Sequence, residues 1–223
     1  MKISSETLQL LKNFASINMN ILFRPGDVIS TISSSNSIFA KATIKETIPN
    51  ELAIYDLSSL LAMMTIIDNQ DIIFNPKSVS IVSPAGKFEY FYSNPDTVVA
   101  APTGTIEHVD VHKFTLTAEE VQMVMKAASI TGAPSISITC REQAVVLSVG
   151  DRKNLTASNF KKDLGTSFNA FDVHIAVENL KIIPDAYEIS VAKTANGKAK
   201  FLHFNHLSRS LQYWIACEPD SIV

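Results

Sequence analysis

Apolar and polar residues alternate along most of this chain, and the alternation breaks at short intervals on turn residues. A period of two, bounded by Gly, Pro, Asn and Asp, marks half-buried strands. It predicts strands over Asn20 to Arg24, Val28 to Ser33, Ser37 to Ile44, Glu51 to Tyr55, Asp71 to Phe74, Ser78 to Val82 and Lys87 to Tyr92. A second series covers Val111 to Leu116, Ser135 to Cys140, Ala144 to Val149, Leu155 to Phe160, Asp172 to Ala176, Tyr187 to Ala192, Ala199 to Phe204 and Leu211 to Cys217. Pro25-Gly26, Pro84-Ala85-Gly86 and Asn196-Gly197 separate strands as antiparallel meanders require.

Helical periodicity is rarer, and it recurs. Ser4 caps a helix predicted to run to Ile17. Thr117 caps one running to Thr131, with Glu120 completing a capping box and Gly132 stopping it. Asp56 to Ile67 reads as a further helix, and Val177 to Ile183 as a short last one ended by Pro184. Each half therefore runs helix, strands, helix, strands, a duplicated architecture without a sequence repeat. Ser93 to Asp110 contains Pro95, Pro102 and Gly104 and no sustained period. The predicted organisation is a domain over residues 1–95, a linker over 96–110 and a domain over 111–223. Long helices segregated from antiparallel strands make the class α+β.

On a helical wheel, Leu8, Leu10, Leu11, Phe14, Ala15 and Ile17 fill one arc of the first helix, and Ser5, Gln9, Lys12, Asn13 and Ser16 the other. The helix at Thr117 repeats the design, with Val121, Val124, Met125 and Ala128 opposite Gln122, Lys126 and Ser129. Lys181 beside Asn179 gives the last helix the same character, whereas the second turns Ser58, Ala62 and Thr65 outward and no charge. A lysine on a helix face is ordinarily a solvated side chain. What lifts these above that reading is their recurrence in matched halves. If such halves close head to tail, the helices line one hole. Lys12, Lys126 and Lys181, flanked by Gln9, Asn13, Gln122 and Ser129, would then meet the phosphates of an enclosed duplex without reading its sequence.

Charge bears on that idea. The net charge is −3, which speaks against a protein gripping nucleic acid by bulk electrostatics. Residues 1–110 carry 7 basic and 11 acidic side chains, and residues 111–223 carry 12 and 11, so placement rather than total charge decides. Retention by a closed ring needs only sparse cations. With 46% hydrophobic residues and a mean hydropathy of +0.15, the composition is that of a globular protein. No apolar run approaches the ~18 residues of a membrane span, and Met1-Lys2-Ile3 leads straight into the first helix, so an intracellular protein with no membrane partner is expected.

Catalytic chemistry finds no constellation. Cys140 and Cys217 are far apart and lack CxxC partners, so both are expected as small apolar residues. His203 with His206, and His108 with His112, have metal-like spacings, but the first pair lies in a strand, where a three-residue offset points side chains to opposite faces, and the second lies partly in the linker with no helix to align it. Ser158 and Lys161 form an SxxK without companion motifs. No glycine-rich phosphate loop is present. The expectation is a non-enzyme with no metal and no cofactor.

Met1-Lys2-Ile3-Ser4, Leu10-Leu11-Lys12-Asn13-Phe14-Ala15 and Ile17-Asn18 resemble the start of the T4-type bacteriophage sliding clamps. Ala53-Ile54-Tyr55-Asp56-Leu57, Asp96-Thr97-Val98-Val99-Ala100 and Leu180-Lys181 extend the resemblance in the same order over essentially the whole chain. The resemblance implies the DNA-clamp fold: two similar domains per chain, each with antiparallel sheets outside and two helices on the inner face, closing into a homotrimeric ring. It implies a ring that encircles duplex DNA and tethers the replicative DNA polymerase for processive synthesis. It further implies a clamp loader ATPase, late-transcription factors as partners, and the cytoplasm of an infected host cell as the location.

Lys12, Lys126 and Lys181 match pore-facing basic positions of that family, while Ser5 and Ser129 stand where relatives can carry basic residues. Lys2, Lys161 and Lys162 are secondary candidates to compensate. The resemblance also implies that the edge strand Lys87 to Tyr92 pairs with Leu155 to Phe160 of a neighbouring subunit, with Phe88, Tyr90, Tyr92, Leu155 and Phe160 at the contact. A cleft for a partner's terminal peptide is placed near Phe39, Val109 and Ala216. The alternative is a non-catalytic β-rich assembly subunit of a virion, which would use the same edges without converging lysines.

Overall fold

The computed structural model describes residues 1–66, 70–104, 106–154 and 156–223. It divides into two compact units, Met1–Thr103 and Gly104–Val223. The division falls inside the stretch that lacks periodicity. No helix among the described residues is long and apolar enough to cross a membrane.

The first unit begins with α1 (Ser5–Ile17). The Ser4 hydroxyl accepts the Thr7 N–H at 3.2 Å, as an N-cap should. Glu46, more than forty residues away in sequence, adds a second cap: its carboxylate accepts the Ser4 N–H and the Thr7 hydroxyl. Burial raises the Glu46 pKa, but those hydrogen bonds outweigh it and hold the carboxyl below its ordinary value. β1 (Ile21–Phe23) pairs with β4 (Leu52–Ile54), and β2 (Gly26–Ile32) pairs with β3 (Ile38–Ile48). Asp56 caps α2 (Leu57–Ile66) by accepting the Ser59 N–H at 2.9 Å. β5 (Asp71–Phe74), β6 (Ser78–Ser83) and β7 (Gly86–Phe91) form an antiparallel meander. α1 and α2 pack side by side, and their Thr7, Leu11, Leu60 and Met64 meet Ile44, Ile54 and Val79 from the strands. Burying Phe14 completely contributes about 2–3 kcal/mol to that core.

The second unit opens with β8 (His108–Leu116) and α3 (Ala118–Thr131). β9 (Ser135–Arg141), β10 (Ala144–Gly150), β11 (Phe160–Thr166) and β12 (Phe171–Ala176) form a sheet in the order β11-β10-β9-β12. β13 (Tyr187–Thr194), β14 (Lys200–His206) and β15 (Leu211–Ala216) join β8 in the order β15-β14-β13-β8. Every pairing is antiparallel. Val121 and Val124 of α3 sit over a core supplied by both sheets, including Ile138, Leu147, Ile189 and Phe204.

α3 carries the capping box its sequence announces, with Thr117 and Glu120 exchanging backbone-to-side-chain bonds at 2.9 and 3.3 Å. Gly132 takes φ +62° at the other end, a left-handed turn that suits glycine. Thr117→Ala should lower the stability of this unit by about 0.5–2 kcal/mol, read as a lower urea midpoint at unchanged slope.

The structure departs from the sequence reading in several places. Val177 to Ile183 is not a helix: only Val177–Asn179 makes one 3-10 turn, so among the described residues the second unit has α3 without the short second helix expected. The segment has no capping side chain, ends in two β-branched residues, and meets Pro184, which disfavours helix at Ile183. Seven residues also provide too few hydrogen bonds to offset nucleation. Its backbone is held instead by buried phenols: Tyr213 accepts the Ile183 N–H at 3.3 Å and Tyr187 donates to the Ile183 carbonyl at 2.7 Å.

The strand expected over Leu155 to Phe160 lies one segment later, at Phe160–Thr166. Asp151 and Asn154 bond their own following backbone at 2.8 and 3.2 Å, and such local bonds compete with a ladder. β8 begins at His108, so residues 108–110 belong to a strand rather than to the linker. The expected helix end at Ile67 and the interface residue Leu155 lie outside the described residues.

Candidate functional site

Each long helix buries one face and shows the other. On α1 the exposed face carries Ser5, Gln9, Lys12 and Ser16, with Asn13 half-buried at its margin. Lys12 lies at the centre of that arc, opposite Phe14. On α3 the exposed face carries Glu119, Gln122, Lys126 and Ser129, with Lys126 central. Neither Lys12 nor Lys126 has an ion pair among the described residues. α2 shows Ser58, Ala62 and Thr65 and no charge, as expected.

The polar faces are not uniformly polar. Met123 is 55% exposed and Ile130 is 85% exposed, and both flank Lys126. These apolar positions and Glu119 were not singled out from the sequence, although the wheel contains them. Lys181 is exposed, but from the extended segment after the 3-10 turn. Leu180 and Ile182 on either side of it enter the core, so alternation rather than a helix points Lys181 outward. Of the secondary candidates, Lys162 is held 2.6 Å from Glu120 on the side of β11 that faces α3. Lys161 lines a polar cleft on the opposite face of the sheet, and Lys2 is exposed.

The sheet edges carry the second candidate surface. β7 is one edge of the β5-β6-β7 sheet and β11 is one edge of the other unit's four-stranded sheet. Tyr92 donates its N–H to the Lys77 carbonyl at 3.0 Å, which makes Val79–Tyr90 and Ile81–Phe88 the pairs bonded within the sheet. The backbone groups of Lys87, Glu89 and Phe91 therefore point away from β6. Phe88 and Tyr90 are half-buried over their own unit: the Tyr90 hydroxyl accepts the Asp56 N–H at 2.9 Å. Tyr92 lines the core of the same unit, and burial pushes its phenol up to about 12. Phe91, 67% exposed, is the aromatic that faces outward. The sequence reading passed over it because alternation assigned it to the polar side. Phe160 opens β11 and is half-buried.

The positions expected near a partner cleft are each placed within one unit. Phe39 is buried on β3, Val109 is exposed on β8, and Ala216 ends β15 half-buried. Within the first unit, a cleft of about 230 Å³ lies where Pro102 and Thr103 approach Leu22, Pro25, Val28 and Lys41. Tyr213, Trp214 and Ile215 are buried strand residues.

The histidines set aside above meet in an unforeseen combination. His203 stacks on Trp214 at 4.8 Å and its ring lies 4.8 Å from that of His108, so each pair of the sequence contributes one member. No group of metal-ligating residues occurs among the described residues. Burial, with His108 beside it, lowers the His203 pKa from 6.5 to about 4. An unfolded chain therefore binds more protons than the folded one between those values, and stability should fall as the pH drops from about 6.5 towards about 4. Urea unfolding followed by the fluorescence of Trp214 should show that slope, and His203→Gln should flatten it.

Comparison with known proteins bears on these surfaces. Residues 4–92 match the family of the DNA polymerase processivity factors. The sliding clamp of Vibrio phage KVP40 is 29% identical over 98% of this chain and 99% of its own length. That of Enterobacteria phage T4 is also 29% identical, over 99% of this chain and 98% of its own. The likeness to the T4-type sliding clamps runs from end to end. Among solved structures, the proliferating cellular nuclear antigen of Entamoeba histolytica superposes with a TM-score of 0.66 at 16% identity, covering 95% of this chain and 94% of that one. The PCNA2-PCNA3 complex from Sulfolobus tokodaii gives 0.67 at 13% identity and covers 95% of both chains. At such low identity these two neighbours show the fold alone, and that fold is the clamp fold, here with three α-helices among the described residues.

Proposed function

We propose that this chain is one subunit of a ring that encircles duplex DNA and tethers the replicative DNA polymerase of a phage. The single observation that carries this is the full-length likeness to phage sliding clamps, joined to the α1 and α3 faces that each present one exposed lysine among short polar side chains. The role is a DNA polymerase processivity factor and needs no catalytic centre. In this reading α1, α2 and α3 line the hole, and Lys12, Lys126 and Lys181 meet phosphates with Gln9, Asn13, Gln122 and Ser129 between them. Each neutralised phosphate shifts the salt slope by only about 0.9, so attraction is weak and topology supplies retention. A net charge of −3 is no obstacle to a mechanism of that kind.

Three subunits close the ring by pairing β7 of one with β11 of the next. A clamp loader ATPase opens it onto DNA in the infected host cell, and late-transcription factors share its partner surface. Phe39, Val109 and Ala216 remain the positions proposed for a partner peptide, and the cleft at Leu22, Val28 and Pro102 offers a second apolar foothold beside the linker. The alternative of a virion assembly subunit has no observation in its favour.

Retention on DNA tests the reading. Loaded onto nicked circles by a clamp loader, the protein should stay bound at a salt concentration that strips it from linear duplex of the same sequence. Equal loss from circle and linear DNA would end the topological mechanism.

A further inference from the structure

The β5-β6-β7 sheet and the β11-β10-β9-β12 sheet share a feature that the clamp reading does not use: in each, one edge is unpaired among the described residues and the other is covered by a distant part of the same chain. In the first unit the Met1 nitrogen donates to the Ile72 carbonyl at 2.9 Å and the Ile72 N–H donates to the Met1 carbonyl at 2.7 Å, closing the middle of β5. In the second unit the closure is more complete. The Asp172 N–H donates to the Ile222 carbonyl at 2.9 Å and Ile222 returns the bond at 2.7 Å. The Glu218 N–H donates to the His174 carbonyl at 2.7 Å, and the Ser221 hydroxyl accepts the His174 N–H at 3.1 Å. In an antiparallel strand alternate residues direct their backbone groups to one side. Asp172, His174 and Ala176 are the alternate residues that β12 turns away from β9, and residues 218–222 satisfy both groups of the first two.

Side chains hold the covering segment in place. His174, 1% exposed, has Nε2 2.9 Å from Asp220 Oδ1, and Arg152 reaches the other oxygen of Asp220 at 3.1 Å. Lys200 donates to the Ser221 carbonyl, and Lys193 donates to the Val223 carbonyl at 3.4 Å. The Ile222 side chain is itself largely exposed, so the segment is held by its backbone and by these ionic contacts rather than by apolar burial.

We propose that the β12 edge is a second strand-docking surface for the β7 edge of another copy of this chain, and that residues 218–222 keep it closed. β11 and β12 are the two edges of one antiparallel sheet, so β12 without its cover presents the same unpaired groups that β11 presents. With both edges open one subunit could accept two neighbours through their β7 strands, and a closed ring would become a branching assembly. The cover makes association one-directional. This inference rests on the β7-to-β11 pairing proposed above.

Light scattering over a range of concentrations tests it on three proteins: the full chain, Ile222→Pro, and a chain lacking residues 218–223. Proline at 222 removes one backbone donor and little packing, which guards against simple unfolding of the shortened form. The full chain should have the mass of three subunits; any other mass overturns the ring itself and is thereby told apart from failure of this inference. Both variants should exceed three subunits by an amount that grows with concentration, while far-UV circular dichroism stays unchanged. The free peptide Glu-Pro-Asp-Ser-Ile-Val should return them to the trimer. Adding Glu89→Pro on β7 should abolish the growth. If either variant keeps the mass of the full chain, or if growth persists when β7 is blocked, the β12 edge is not a docking surface for β7.

Discussion

Reversing the charge at Lys12, Lys126 and Lys181 together is expected to abolish processive synthesis at physiological salt while leaving the ring assembled. The three lysines are exposed, and Lys12 and Lys126 have no ion pair among the described residues, so replacing them by glutamate leaves the core untouched. Surface changes of this kind move stability by no more than about 0.5 kcal/mol. In a trimer the substitution turns about nine attractive contacts into repulsive ones, and each contact carries about 0.9 of the logarithmic salt dependence. Loading should therefore fail at salt concentrations where the native ring loads, and should recover in part as the salt is lowered further for the single variants. The measurement is product length in a primer-extension assay, with light scattering as control. Long products from the triple variant would show that these helix faces do not meet DNA. Replacement by glutamine should give an intermediate result, because it removes attraction without adding repulsion.

Glu89→Pro carries the second large effect. The Glu89 N–H points away from β6, so proline there leaves the hydrogen bonds within its own sheet intact. What it removes is a donor to the neighbouring subunit, and its ring blocks close approach of β11 at mid-strand. The lost hydrogen bond from Ser78 to the Glu89 carboxylate, 2.8 Å long and partly exposed, costs about 1 kcal/mol, too little to unfold the unit. The expected outcome is a folded single chain at micromolar concentration, with retention on circular DNA lost. A trimer that survived this substitution would place the subunit contact elsewhere. Phe91→Ser, on the same outward row, should weaken the trimer in the same direction by removing an exposed aromatic that only a neighbour would bury.

How much of this was legible in the sequence follows from the range of each interaction. The capping box at Thr117 and Glu120 and the cap at Ser4 are local signals, separated by three residues from what they bond, and each marks its helix start. The second cap of α1 was not legible, because Glu46 reaches Ser4 only once β3 lies beside the helix. The missing fourth helix has the same origin. Its apolar residues fit a helical wheel, but Tyr187 and Tyr213 take the Ile183 peptide bond groups, and both arrive from later strands.

β11 was displaced for a different reason. Lys161, Lys162 and Asp163 form a charged run that does not alternate, and such a run reads as a solvated loop. An edge strand tolerates it, since charge on an edge discourages unwanted pairing. Phe91 was missed because its side chain belongs to the outward row of a strand whose core-facing row is also aromatic.

By itself the sequence determined the α+β class, the division into two units, the buried faces of α1 and α3, and which lysines stand on their exposed faces. Those features follow from periodicity and caps, which act over a single turn or a single strand. Tertiary structure decided which edges stay open, which aromatic looks outward, where Lys181 gets its direction, and that residues 218–222 close β12. Each of these depends on backbone groups brought together across long separations, and a hydrogen bond left open or closed at a sheet edge leaves no mark on the local pattern of apolar and polar residues.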